Sequence, residues 1–201
     1  LVAMLLVLML VALNSPLRRG FALGLAAAAK FFPAILLPLL AIGRGDGQPA
    51  VTRKTLAGFA IAAGGAVALF LPPGGIQEMY NHTIGFQLSR PDIFSIWALH
   101  PGLAPLKLAV EAGVVVLAIA VALRPRGPRS TAQVSALAAA LTIAVQLPAL
   151  HWFYLYIVWF MPLVLIAVLA PETPESASPP TTLHSEGLEV AEAGRVLVGA
   201  G

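Results

Sequence analysis

The stretch Gly20-Phe-Ala-Leu-Gly-Leu-Ala-Ala-Ala-Ala-Lys30-Phe-Phe-Pro33-Ala-Ile-Leu-Leu-Pro-Leu-Leu-Ala-Ile42 is an apolar run with a single cation at its centre, three residues ahead of a proline. A lysine in the middle of a membrane helix costs roughly 2.5 to 3.5 kcal/mol on insertion scales, so its ammonium faces a partner, a water-filled cavity or an anionic ligand rather than lipid. Lys30 therefore marks a site, or the wall of one.

The rest of the chain agrees with a membrane setting. Of its 201 residues 59% are hydrophobic and 10% charged, and the mean hydropathy is +0.89. That leaves too little polar surface for a soluble domain and points to a polytopic membrane protein. The net charge of +3 is no sign of nucleic acid, because the cations lie in short clusters between apolar runs, as cytoplasmic loops do. Cysteine is absent, which rules out a disulfide framework and a thiolate site. Leu1 opens directly into an apolar stretch that stops near Leu13. This is shorter than the roughly 20 residues of a span, so the chain reads as a fragment whose first helix is cut.

Apolar runs fall at 1–13, 20–42, 55–72, 103–123, 131–150 and 152–170, each bounded by Gly, Pro or Arg. Arg44, Arg53 and Lys54 mark one cytoplasmic loop and Arg124, Arg126 and Arg129 another, while 73–102 and the junction at 150–152 face outward. Arg18 and Arg19 also look cytoplasmic, yet a straight span over 20–42 cannot begin and end on one side. Two half-length helices meeting near Lys30 to Pro33 resolve the conflict, since irregular backbone at depth is tolerated where it lines a cavity. The alternative is a straight, proline-kinked span with the arginine pair outside. The expected fold is thus all-α: a polytopic transmembrane bundle over 1–170 with a re-entrant or kinked helical hairpin.

Residues 73–102 form the one long outer loop. Ile76, Met79, Tyr80, Ile84 and Leu88 recur at helical spacing opposite Gln77, Glu78, Asn81 and His82, which predicts an outer interfacial helix ended by Pro91. From 171 to 201 the chain is polar and proline-rich, and it is expected to be a disordered cytoplasmic tail.

The candidate substrate-binding residues are Lys30, Arg90, Asp92, Trp97, His100 and His151. Lys30 either neutralises a phosphate or reaches backbone carbonyls near the kink. Arg90 offers a planar fork suited to phosphate, and Asp92 a base or a sugar-hydroxyl partner. Trp97 can stack on a sugar or anchor at the interface. His151, followed by Trp152, Phe153, Tyr154 and Tyr156, faces the cavity or merely opens an aromatic belt. Lys107 and Glu111 are four apart on one helix face and read most simply as an ion pair. The four histidines are scattered, without metal-ligand spacing. Neither a phosphate-loop motif nor a serine-nucleophile elbow occurs.

The pattern Gly20-x3-Gly24-Leu-Ala, then Lys30-x2-Pro33, then Leu36-Leu-Pro-Leu-Leu and a basic loop, resembles the GT-C integral-membrane glycosyltransferases. Within them it is most similar to glycosyltransferase family 87, the polyprenyl-phosphate-mannose-dependent mannosyltransferases. Gly85-Phe-Gln-x2-Arg90, Ser95-Ile-Trp97 and the aromatic helix after His151 add to the likeness, which covers roughly 14–170. The resemblance implies transfer of a hexose from a polyprenyl-phosphate donor to a glycan or lipid acceptor, outside a bacterial plasma membrane. No cofactor and no nucleic acid is implied; the partners are membrane lipids, donor and acceptor. Lys30, and more loosely Arg90, carry over as contacts to the donor phosphate. The family's catalytic Asp belongs to an earlier outer loop, and no aspartate of this sequence matches it, so the base is unassigned. The competing reading from the residues is a transporter or flippase-like protein that binds an anion at Lys30; a non-catalytic membrane scaffold leaves the mid-span lysine unexplained.

Overall fold

The computed structural model of the chain describes residues 1–45, 48–86, 95–124, 128–149 and 156–170, and over these it is helical, without a strand. They belong to one compact unit, Leu1–Pro171; the expected tail at 171–201 lies outside the described residues. The helices are α1 (Val2–Val11), α2 (Pro16–Ala29), α3 (Leu37–Ala41), α4 (Pro49–Leu69), α5 (Gly75–Tyr80), α6 (Ile96–Leu99), α7 (Ala104–Leu123), α8 (Thr131–Gln146) and α9 (Ile157–Leu169). A 3₁₀ segment, Phe32–Leu36, leads into α3, and a π-helical turn, Asn81–Gly85, follows α5. Among the described residues one helix, Pro101–Leu123, is long and apolar enough to cross a membrane; Val2–Val11, Phe32–Ala41, Thr131–Gln146 and Ile157–Leu169 are shorter apolar helices.

The apolar run at 20–42 breaks in the middle. α2 starts with Pro16 in its first turn, where a missing N–H is harmless, and leaves the helix at Lys30, which is extended (φ −154°, ψ 137°). Carrying the helix on would drive the Pro33 ring against the Ala29 carbonyl and forfeit its hydrogen bond. The chain restarts as 3₁₀ with Pro33 in its first turn and passes into α3. It then returns to its origin: the Arg44 guanidinium donates to the Leu13 carbonyl and, at 2.8 Å, to Asn14 Oδ1. A helix of 14 residues is about 21 Å long, so residue 44 reaches residue 13 only if 30–43 run back along α2. The reversal is a hairpin, and the straight proline-kinked span is ruled out.

The same contacts gather the basic clusters at one end. Arg129 donates to the Gly43 carbonyl through its side chain and to the Arg44 carbonyl through its backbone N–H at 2.9 Å. Partial burial draws the Arg129 guanidinium below the usual arginine range, and it stays charged at neutral pH. Arg19 departs from expectation. It is not a loop cation but sits in the first turn of α2, 0% exposed, donating to Leu13 O at 3.0 Å and to Thr55 Oγ1 at 3.2 Å. It pins the α1–α2 turn to α4. Arg19→Met should lower stability by about 2 to 4 kcal/mol, since it removes charge-assisted bonds to Leu13 O and Thr55 Oγ1 from a buried site. Thermal unfolding in detergent measures the loss, and a melting point equal to that of the wild type would contradict the role.

α2 and α4 pack backbone to backbone. A Cβ on Gly20 would collide with the Thr55 carbonyl, one on Gly58 with the Leu17 carbonyl, and one on Gly24 would lie 2.6 Å from Phe59 O and 2.8 Å from Ala62 Cβ. Small residues four apart are the usual means by which membrane helices approach this closely. Around this pair Leu6 and Met9 of α1, Leu23 of α2, the returning Leu36 and Leu39, Val134 and Leu141 of α8 and Leu163 of α9 form the core. The Ser135 hydroxyl donates to the Leu163 carbonyl at 2.7 Å, joining α8 to α9.

Element boundaries moved in two places. α4 begins at Pro49 rather than near 55, because Pro49 opens the helix and Arg53 and Lys54 point outward from its first turns, both exposed. The outer helix is present as α5 and the π-helical turn, with Ile76, Tyr80 and Ile84 exposed; its expected continuation through Leu88 to Pro91 lies outside the described residues.

Candidate functional site

At the end of the hairpin opposite the arginines, the break in α2 opens onto a cavity of about 470 Å³. Its wall is formed by Ala28 to Phe32, by His82 and Thr83 of the π-helical turn, by Val145, Gln146 and Ala149, and by Tyr156 and Trp159. Lys30 stands at this wall because the extended backbone at the break takes it off the α2 face. Its Nζ lies 5.2 Å from the Trp159 ring centroid, within cation–π range. Trp159 in turn stacks on Phe32, centroids 4.7 Å apart, and on Tyr156, 4.2 Å apart. The rings thus hold an exposed ammonium at the mouth of an apolar hollow, and among the described residues no carboxylate neutralises it.

The two described carboxylates are engaged elsewhere. Glu78 accepts from the Gly74 N–H at 2.7 Å, and Glu111 pairs with Lys107 at 2.8 Å, the simple ion pair the spacing implied. The Thr83 hydroxyl donates to the Met79 carbonyl at 2.6 Å. Gln146 is 6% exposed, and its Nε2 has no partner among the described residues. A cation beside aromatic rings, with amide and imidazole groups on the same wall, is suited to an amphiphile whose head carries an anionic oxygen cluster.

Of the six residues singled out from sequence, Lys30 lies at this cavity. Trp97 lies close by without lining it: its indole N–H donates to the Leu147 carbonyl at 3.0 Å, fixing the end of α8. His100 is exposed at the end of α6, away from the cavity wall. Arg90, Asp92 and His151 lie outside the described residues. Sequence reasoning missed Phe32, Trp159 and Gln146. Gln146 carried a fainter signal than Lys30, an uncharged polar residue within the apolar run 131–150; the aromatics looked like an interfacial belt because their stacking depends on the reversal.

A wider hollow of about 610 Å³ lies at the arginine end, over Leu8, Val11, Leu17, Arg18 and Phe21. These side chains are themselves exposed, and none is a buried polar group awaiting a partner. Comparison of the chain with family models, with curated proteins and with solved structures finds no match, so the functional reading rests on this geometry and on the residues.

Proposed function

We propose that the chain is part of a multi-pass membrane glycosyltransferase of the GT-C type that moves a hexose, mannose by the resemblance, from a polyprenyl-phosphate donor to an acceptor outside the plasma membrane. The observation that carries the proposal is Lys30, a lone cation at a helix break, held over Trp159 at the mouth of an apolar cavity. The basic clusters at the opposite end favour the cytoplasmic side for that end, which turns the cavity outward.

In the reaction the acceptor hydroxyl attacks the anomeric carbon as the bond from that carbon to the phosphate oxygen breaks. The departing oxygen keeps the electron pair, and the Lys30 ammonium stabilises the charge that develops there. The aromatic wall excludes water and receives the first isoprene units. A carboxylate takes the acceptor proton; none of the described lining residues supplies it, and by the resemblance it belongs to an earlier outer loop.

A lysine at a discontinuous helix also suits a transporter that binds an anion at mid-membrane, and one assay separates the two. The full-length protein is reconstituted in proteoliposomes with labelled polyprenyl-phosphate-mannose and an acceptor. The proposal expects label on the acceptor; passage of intact donor across the bilayer without sugar transfer would support the transporter instead.

A further inference from the structure

Gln146 is the last residue of α8, nearly buried, and its Nε2 is unpaired among the described residues. Buried side-chain polar atoms are hydrogen-bonded in the large majority of cases, so such an atom at a cavity wall calls for an explanation. Gln146 lines the cavity, and the two protons of its N–H₂ would be satisfied by an acceptor oxygen of an occupant. The residue is also held in place: Leu147, next in sequence, accepts the Trp97 indole N–H. Of the other polar lining residues, Thr83 has committed its proton to Met79, and His82 and Tyr156 bring an imidazole and a phenol, so Lys30 and Gln146 stand among several possible donors on a described wall without a carboxylate. A lysine ammonium, which only donates, on a described wall without a carboxylate suits an anionic acceptor group.

We infer that Gln146 is a second ligand-binding residue, donating a hydrogen bond to an oxygen of the same lipid phosphate whose charge Lys30 balances; the inference rests on the reading of Lys30 under Proposed function. Lys30 supplies charge and Gln146 supplies direction, so the two act on different non-bridging oxygens.

The test uses residues 1–201 in zwitterionic nanodiscs and the Kd of three probes: farnesyl phosphate, farnesyl-phosphoryl-mannose and farnesol. Gln146→Met should weaken both phosphate-bearing lipids by about tenfold to a hundredfold and leave farnesol unchanged. Gln146→Glu, which keeps the shape and replaces the donor by oxygen, should give the same pattern, with thermal unfolding of each variant recorded alongside. A loss confined to the mannose-bearing lipid would overturn the inference in favour of a sugar contact, and an equal loss for farnesol would reduce Gln146 to packing. Unchanged Kd values in both Gln146 variants, with a loss in Lys30→Met, would refute the role of Gln146 alone. Unchanged values in all three variants would refute the phosphate site as well.

Discussion

Lys30→Met is expected to bring sugar transfer by the full-length protein down by about 10² to 10³ in kcat, the range typical of removing one preorganised charge or donor from a developing anion. Methionine keeps the apolar length of the side chain and its contact with the aromatic face, so the stack of Phe32, Trp159 and Tyr156 and the yield of folded protein should stay near wild type. Lys30→Arg should recover only part of the activity. Its guanidinium is broader and planar and stacks differently on Trp159, whereas the break in α2 holds a compact ammonium. Transfer is read as labelled sugar on the acceptor at saturating donor, with binding measured separately. Wild-type turnover in Lys30→Met would remove the phosphate role.

Gly24→Leu should prevent folding altogether. Even a single Cβ there meets the Phe59 carbonyl at 2.6 Å and Ala62 Cβ at 2.8 Å, and these obstacles belong to a neighbouring helix that cannot rotate away as a flexible side chain can. Overpacking costs about 1 to 3 kcal/mol where side chains can adjust, and more where backbone is displaced. Two further backbone approaches, at Gly20 and Gly58, stand on the same seam, so opening it at one point separates α2 from α4 along its length. Gly65→Leu is the control, because Gly65 lies on α4 with open space beside it. Gel filtration in mild detergent should give a monodisperse peak for Gly65→Leu and aggregate for Gly24→Leu. A stable, monodisperse Gly24→Leu would show that the seam is not needed.

The hairpin was legible in sequence because two independent signals collided: cations at both ends of one apolar run, and a lysine and a proline at its centre. Helix positions followed from hydropathy in the same way, as α1 and α7 show. The role of Arg19 was not legible. As one of two adjacent arginines it looked like a loop charge, and its burial depends on Thr55 and the Leu13 carbonyl arriving from elsewhere in the chain. The glycines at 20 and 24 were visible as a pattern, but their partner Gly58 was not, since nothing local identifies which helix they meet. Within the site the charge could be read and its setting could not. A mid-span lysine announces itself, whereas the stack beneath it combines Phe32 with Tyr156 and Trp159, more than a hundred residues away, and forms only after α8 and α9 pack against the returning hairpin.

The most direct test of the account is the sidedness of the reversal, on which the placing of Lys30 depends. Single cysteines at Ser15 and Gln48, either side of the hairpin, and at Asn81, beside the cavity, are probed in sealed, oriented vesicles with an impermeant thiol reagent, before and after permeabilisation. The account expects Ser15 and Gln48 to share one side, protected in right-side-out vesicles, with Asn81 labelled from outside. Labelling of Ser15 and Gln48 from opposite sides would contradict the hairpin, and with it the placing of Lys30 at an outward-facing site.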